Sequence, residues 1–253
     1  MIDFHSHIIY GIDDGSKDID MSLSMIENAK EEGTEYICAT PHFILGNYEV
    51  SLEEYSSKIE ELRAKSEINI VSGLEVYMDL KLPELFKEKK IWGINNGPYM
   101  LIEFPMREIP RYSNDVLYEL SILGVKPIIA HPERNLKLMN NIDILEDWIE
   151  EGYLLQVNAG SLVGQYGKEP RDISEILAKR NMIHILGSDG HNDSRRKTNI
   201  KSGRNRLEEI NPSLSTWIDK NEKKVLLGED IELPEINELK KSSKSIFGFL
   251  KRK

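Results

Sequence analysis

Residues 2–9, IDFHSHII, form the first apolar stretch of the chain and the starting point for its fold. An extended strand alternates its side chains between two faces, so His5 and His7 are expected to point the same way. Asp13 and Asp14 follow shortly after. This grouping is typical of a metal site or a catalytic pair. Taken alone, HSH is as compatible with a surface loop, and the two aspartates before Gly15 with a simple turn.

Outward from this stretch, apolar strand-like runs alternate with helical patterns. Further strands are predicted at YICATPHF, INIVSGLEV, YMLIEF, KPIIAH, YLLQVNAG and IHILGSD, and helices over 19–32, 51–66, 112–123, 141–151 and near 171–181. Repeated strand–helix units predict a parallel α/β architecture in one domain. Seven or so units favour a barrel over an open sheet.

Ligand-type side chains recur where the predicted strands end. They are His42, Glu75, Glu103, His131, Asp189 and His191. With His5 and His7 of the first strand, five of the six histidines of the chain lie at strand ends. In parallel α/β proteins functional residues cluster at the carboxyl ends of strands. His184 has the opposite parity to Asp189 and is interpreted as a structural histidine.

Histidine and carboxylate ligands without thiolates suit Mn, Fe, Zn or Mg. The number of candidates suffices for two or three ions, because a catalytic ion takes about three to four protein ligands. A carboxylate such as Glu75 can bridge two ions, and a hydroxide bridging them would be the nucleophile.

Arginines close to these ligands are candidates for binding a phosphoryl group through bidentate hydrogen bonds. Arg134 lies three residues after His131, and Arg195 and Arg196 follow His191. One of the pair Arg195 and Arg196 is expected to be a solvated surface residue.

Composition excludes several classes of protein. The chain has 253 residues, a formal net charge of −10 and one cysteine, Cys38. The negative charge argues against broad nucleic-acid binding, and no apolar run reaches the roughly 18 residues of a membrane span. The lone cysteine excludes internal disulfides and, with no export signal visible, favours a cytoplasmic location.

A cysteine phosphatase would need an arginine six positions after Cys38, where Ile44 stands. DID at 18–20 follows a polar stretch, so it indicates a helix start rather than an aspartyl-phosphate site.

Seven strings in order, HSH, DDG, TPHF, GLEVY, LIEF, AHPER and SDGHN, resemble the PHP (polymerase and histidinol phosphatase) superfamily. More narrowly, they resemble the bacterial metal-dependent protein-tyrosine phosphatases of the CpsB/YwqE type. The resemblance implies a single-domain α/β fold, a distorted (β/α)7 TIM-like barrel over residues 1–235, with a trinuclear site usually supported by Mn²⁺. It also implies hydrolysis of phosphotyrosine on the C-terminal tail of a bacterial tyrosine kinase that controls capsule or exopolysaccharide synthesis.

The same resemblance implies a role for each candidate residue. One ion would be held by His5, His7, Glu75 and Asp189, a second by Glu75, Glu103 and His131, and a third by Asp14, His42 and His191. Arg134 and Arg195 would bind the phosphoryl group. Asp14 is favoured as the ligand over Asp13, which would shape the turn.

Three alternatives stay open. The first is a small-molecule phosphomonoesterase of the histidinol-phosphatase kind. The second, an amidohydrolase, is disfavoured because the strand ends offer no metal-bridging lysine. The third is a metal-stabilised module that binds phosphotyrosine without turnover.

The last residues, 236–253, are basic and end in SIFGFLKRK. We expect a flexible tail. Its mixture of apolar and cationic side chains also permits weak contact with an anionic membrane surface or a partner.

Overall fold

The structure, a computed structural model, describes residues 1–238. These residues form nine β-strands and ten α-helices. The strands are β1 (Ile2–Ser6), β2 (Tyr36–Ala39), β3 (His42–Phe43), β4 (Asn69–Ser72), β5 (Glu75–Tyr77), β6 (Tyr99–Glu103), β7 (Lys126–Ala130), β8 (Leu154–Asn158) and β9 (Ile185–Gly187). The helices are α1 (Ile19–Glu31), α2 (Leu52–Arg63), α3 (Leu82–Lys87), α4 (Ser113–Ile122), α5 (Leu136–Met139), α6 (Ile142–Glu150), α7 (Ala159–Leu162), α8 (Lys168–Lys179), α9 (Lys201–Ile210) and α10 (Pro212–Leu226).

The strands form a curled, parallel barrel. One sheet has the order β1-β2-β4 and the other β3-β5-β6-β7-β8-β9, with every pairing between named strands parallel. Two residues separate β2 from β3, and two separate β4 from β5, so each pair acts as one interrupted strand. Counted in this way, the described residues contribute seven strands. The predicted distorted (β/α)7 barrel is confirmed.

The end of β1 meets the segment after β9 and closes the barrel on that side. Asp189 N donates to His5 O at 2.7 Å, and His7 N donates to Gly190 O at 2.9 Å. Ser6 and Gly190 form a parallel bridge. These bonds draw the first and last strand ends of the barrel together.

Helix α1 shows how local sequence sets the elements around the barrel. Asp18 accepts a hydrogen bond from Met21 N at 2.9 Å and caps the helix, as its position before the apolar pattern predicts. Met25, Ile26 and Ala29 are buried at helical spacing. DID at 18–20 is therefore a helix start, as expected.

The barrel interior holds an apolar cluster, built from the side chains on one face of the strands. It contains Ile2, Phe4, Cys38, Val71, Leu101, Ile128, Leu154 and Ile185, together with Val225 and Leu226 of α10. Cys38 is fully buried here, which confirms that it is a core residue. Tyr99, at the start of β6, donates its hydroxyl to Glu229 O at 2.9 Å. The end of α10 thus covers the amino-terminal end of the barrel, opposite the strand ends that carry the ligands.

Five helices are not among the sequence predictions, namely α3, α5, α7, α9 and α10. For α10 an apolar pattern was available, because Leu214, Ile218, Val225 and Leu226 are buried at helical spacing. Asn211 caps α10 by accepting from Leu214 N at 3.1 Å, and Pro212 occupies the first turn. This Asn-Pro start was a second signal for the helix.

The last described residues still contact the barrel domain. Asn237 N donates to Arg180 O at 3.0 Å, and Ile236 packs against the core. The boundary after residue 235 stays a prediction, and residues 239–253 of the expected tail lie outside the described residues. Within the described part, no helix combines the length and apolarity needed to cross a bilayer.

Candidate metal centre

His5 and His7 turn their Nε2 atoms toward one another, 3.1 Å apart. The opposite ring nitrogens are occupied. His5 Nδ1 donates to Gln156 Oε1 at 2.9 Å, and His7 Nδ1 donates to Asp13 Oδ2 at 2.7 Å. With the proton assigned to Nδ1 in each ring, both Nε2 atoms present lone pairs. Two lone pairs at this distance require a cation or a shared proton between them.

Glu75 lies at the centre of four imidazoles. Its Oε2 atom is 3.0 Å from His5 Nε2, 3.3 Å from His7 Nε2 and 2.9 Å from His42 Nδ1, while Oε1 is 2.9 Å from His131 Nε2. Glu75 is completely buried, and its Oε2 has no hydrogen-bond donor in the described residues. Burial alone would raise the pKa of Glu75, but a proton shared among the imidazoles, which gives His5 or His42 a positive charge, holds that pKa well below its usual value. The carboxylate is therefore ionised and placed to bridge cations.

Glu103 adds a second carboxylate to the same space. Its Oε2 is 3.5 Å from His42 Nδ1, and its Oε1 is 3.8 Å from His131 Nε2. Burial and the negative charge of Glu75 raise the pKa of Glu103 to about 8. The positive charge on the nearby imidazoles does not balance the negative charge of both carboxylates. A divalent cation between them would hold Glu103 ionised.

Asp14 and His191 lie on the solvent side of the cluster. Asp14 Oδ1 is 3.6 Å from His42 Nε2 and 3.6 Å from His191 Nε2, and 53% of the Asp14 side chain is exposed. Burial lowers the pKa of His191 to about 4, so its imidazole is neutral and can act as a ligand. Asp13 is buried instead, where its Oδ2 accepts from His7 Nδ1 and, at 2.9 Å, from His42 N. The neighbouring aspartates thus divide into one that faces the cluster and one that orients its histidines.

Asp189 joins the ligand cluster to two arginines. Its Oδ1 lies 3.8 Å from His5 Nε2 and 2.7 Å from Arg196 Nη2, while Oδ2 contacts the Arg134 guanidinium. The Arg134 guanidinium also stacks on the Tyr166 ring, 4.5 Å from its centroid. Arg195 is exposed, and its side chain forms no ion pair in the described residues. The structure brings Arg134 and Arg196 into contact with the cluster, whereas the Arg195 side chain, chosen from sequence, makes no ion pair with it in the described residues.

A chain of buried amides supports the cluster from β8. Gln156 Oε1 accepts from His5 Nδ1 and, at 3.3 Å, from His131 N, while its Nε2 donates to Asn158 Oδ1 at 2.9 Å. Asn158 Nδ2 then donates to Asp189 Oδ2 at 2.8 Å. The sequence analysis did not single out Gln156 or Asn158. The sequence feature that could have identified them is the spacing of two polar residues, i and i+2, on one face of the otherwise apolar strand LLQVN.

Two candidate ligands have strained backbones. His131 has φ +29° and Asp189 has φ +53°, values that favour glycine. Such strain is concentrated at functional sites. A Cβ atom on Gly187 would lie 2.4 Å from His5 Cβ, so glycine is required where β9 passes His5.

The candidate ligands therefore converge. Three overlapping groups have their ligand atoms close enough for one ion each: His7, Asp14, His42 and His191; His5, His7 and Glu75; and His42, Glu75 and Glu103. His131 lies beside the last group, and Asp189 beside the second. Tetrahedral ligands about 2.1 Å from an ion are about 3.4 Å apart, a spacing close to that of His5, His7 and Glu75. The unpaired, buried Glu75 Oε2 and His42 Nδ1 also fit a cation.

His184 lies apart from the cluster: its Nδ1 accepts from Leu155 N at 2.9 Å, so it is structural, as predicted.

Comparison with known proteins agrees with this geometry. The family described as "Capsular polysaccharide synthesis, CpsB/CapC" matches residues 1–225. CapC of Staphylococcus aureus is 38% identical over 238 residues, covering 91% of this chain and 93% of that protein. The Bacillus subtilis tyrosine-protein phosphatase YwqE is 34% identical over 197 residues, covering 76% of this chain and 78% of that protein.

Solved structures show the same fold. A crystal structure from work on YwqE of B. subtilis and CpsB of Streptococcus pneumoniae, described as unique metal-dependent tyrosine phosphatases, superimposes with a TM-score of 0.85. The match is 30% identical and covers 94% of this chain and all of the other. The histidinol phosphate phosphatase of Lactococcus lactis shares the fold at 18% identity, with a TM-score of 0.55 over 83% of this chain and 93% of that one. The resemblance found in the sequence is confirmed, and the chain belongs to the CpsB/CapC family of capsular polysaccharide synthesis proteins.

Proposed function

We propose that this protein is a metal-dependent phosphatase that hydrolyses phosphotyrosine in proteins. One observation carries the proposal: nine histidine and carboxylate side chains converge at the carboxyl end of the barrel, with Arg134 and Arg196 at their edge. Relatives named tyrosine-protein phosphatase, which align over most of the chain, support phosphotyrosine as the substrate.

The residues would hold two or three divalent ions, with Mn²⁺ as our first candidate. His5, His7, Glu75 and Asp189 would hold one ion. Glu75, Glu103 and His131, with His42 beside them, would hold a second. Asp14, His42 and His191 would hold a third. Such ions would acidify water and neutralise charge on the phosphoryl group.

The chain itself binds and orients the substrate. Arg134 and Arg196 have 20% and 31% of their side chains exposed, so N–H groups beyond those on Asp189 are open to phosphoryl oxygens. Asp189 holds both guanidinium groups beside the ligand cluster. Hydrolysis then breaks the bond between phosphorus and the tyrosine oxygen and adds water, releasing tyrosine and phosphate. The two arginines stabilise charge on the phosphoryl oxygens during this transfer.

The biological substrate we propose is the C-terminal tail of a bacterial tyrosine kinase in capsule or exopolysaccharide synthesis. The family description, capsular polysaccharide synthesis, supports the link to capsule synthesis. We also propose a cytoplasmic location, which agrees with the single, buried cysteine.

Phosphate release tests the proposed function. Purified protein would be assayed on a phosphotyrosine peptide, the matched phosphoserine peptide and histidinol phosphate, with Mn²⁺ and after chelation, and its metal content measured. We expect release from the phosphotyrosine peptide only with metal. Equal or faster turnover of histidinol phosphate would favour the small-molecule phosphatase. Tight peptide binding without release would favour the binding module.

A further inference from the structure

A cavity of about 590 Å³ adjoins the metal centre. Its wall includes Ile44, Tyr77 and Pro105. Each lies two residues after a candidate ligand, namely His42, Glu75 and Glu103. The cavity therefore opens at the same barrel end as the metal centre, beside the ends of β3, β5 and β6.

The cavity combines aromatic rings with unpaired carboxylates. Tyr77 and Tyr112 line it together with Asp79 and Glu108. Neither carboxylate lies within ion-pair distance of a lysine or arginine in the described residues, although Asp79 Oδ1 accepts from Lys81 N at 2.8 Å. Arg111 is the positively charged residue of the lining, and it is exposed.

The charged side chains of the lining are Asp79, Glu108 and Arg111, so two negative charges stand against one positive charge. The net charge of the cavity lining is therefore negative.

We propose that this cavity is a subsite for a lysine or arginine side chain of the substrate, within about three residues of the phosphotyrosine. Aromatic faces and carboxylates together attract a cation, and the aliphatic part of a long basic side chain packs on Ile109 and Leu45 of the same wall. The inference rests on the proposed phosphatase function and adds a preference for basic flanking residues. We call the cavity the acidic subsite.

The experiment compares phosphotyrosine peptides that differ at one flanking position. Lysine, norleucine and glutamate would be placed in turn at each of the three positions on either side. With the wild-type protein and Mn²⁺, we expect lysine at one or more positions to raise kcat/KM about three- to tenfold over norleucine, which matches lysine in length without its charge. Equal values for lysine and norleucine at every position, or a preference for glutamate through Arg111, would overturn the proposal.

The variant Glu108→Gln assigns the preference to the acidic subsite. We expect it to lower the lysine-to-norleucine ratio toward one, whereas Glu119→Gln, at another exposed glutamate that lies on α4 outside the cavity, leaves the ratio unchanged. An unchanged ratio in Glu108→Gln would contradict the assignment.

Equilibrium binding of the same peptides, followed by fluorescence anisotropy, separates this proposal from the function on which it rests. If no peptide is hydrolysed but the lysine peptide still binds more tightly than the norleucine peptide, the phosphatase function fails and the acidic subsite stands. If the peptides are hydrolysed and bound without regard to charge, the phosphatase function stands and the acidic subsite fails.

Discussion

His5 Nδ1 and Gln156 Oε1 lie 2.9 Å apart in the barrel interior, and this bond sets which nitrogen of His5 faces Glu75. Hydrogen bonds of this kind fix the tautomer and orientation of a metal-binding histidine. Because Gln156 also contacts Asn158, which in turn contacts Asp189, the bond couples His5 to a carboxylate on another strand.

Replacing Gln156 with leucine should therefore weaken metal binding. We expect the Mn²⁺ dissociation constant of Gln156→Leu to rise about 10–100-fold, as measured by competition with a fluorescent chelator. Gln156→Glu keeps an acceptor for His5 Nδ1 and should retain more of the affinity. Gln165→Leu, the same change outside the cluster, is the control. Wild-type affinity in a folded Gln156→Leu protein would contradict a positioning role.

The two consecutive arginines should behave differently. Arg196 Nη2 contacts Asp189 at 2.7 Å, whereas Arg195 is exposed. Losing a charged hydrogen-bond donor to the phosphoryl group should lower kcat/KM of Arg196→Ala on a phosphotyrosine peptide about 10–100-fold. Arg195→Ala should stay within about twofold of wild type. Steady-state kinetics of the two variants would refute this assignment if the larger loss occurred at Arg195.

Removing central ligands should abolish activity without unfolding the protein. His5 and His7 are buried but lie at one end of the barrel, so alanine at both positions should preserve the circular dichroism spectrum. Phosphate release should fall to background, and bound metal measured by elemental analysis should decrease. Glu75→Gln should have the same effect, because it removes the charge shared by four imidazoles. Full activity in the double variant or in chelator-treated protein would exclude a metal mechanism.

His184 should make stability depend on pH. Burial lowers the pKa of His184 to about 3, against an ordinary value of 6.5. Between these values the unfolded chain binds a proton that the folded protein excludes, so the free energy of unfolding falls as the pH drops below 6.5. Between pH 7 and pH 5, protonation of His184 in the unfolded chain lowers the free energy of unfolding by about 2 kcal/mol.

His184→Asn retains an acceptor for Leu155 N and removes the titration. With metal chelated from both proteins, urea unfolding at pH 7 and pH 5 should show a smaller loss of stability in the variant. The same pH dependence in variant and wild type would mean that His184 is protonated in the folded protein.

The alternation of apolar runs and helical patterns was enough to predict the parallel barrel, because side-chain periodicity reports which face of each element is buried. The two interrupted strands did not disturb this, since YICATPHF and INIVSGLEV each span both of their segments. Helices α9 and α10 were not predicted, although Leu214, Ile218 and Val225 give α10 an apolar face at helical spacing.

The sequence by itself also determined which side chains meet, since the carboxyl ends of parallel strands share one end of a barrel. It also favoured Asp14, which faces the cluster, over Asp13, which orients His7, but it did not determine that Arg196 rather than Arg195 reaches Asp189. Outside regular strands, adjacent side chains have no fixed alternation, so only the contacts made by the folded loop decided which one points inward. The amide chain from Gln156 to Asp189 likewise depends on distances between strands far apart in sequence, which the tertiary structure alone sets.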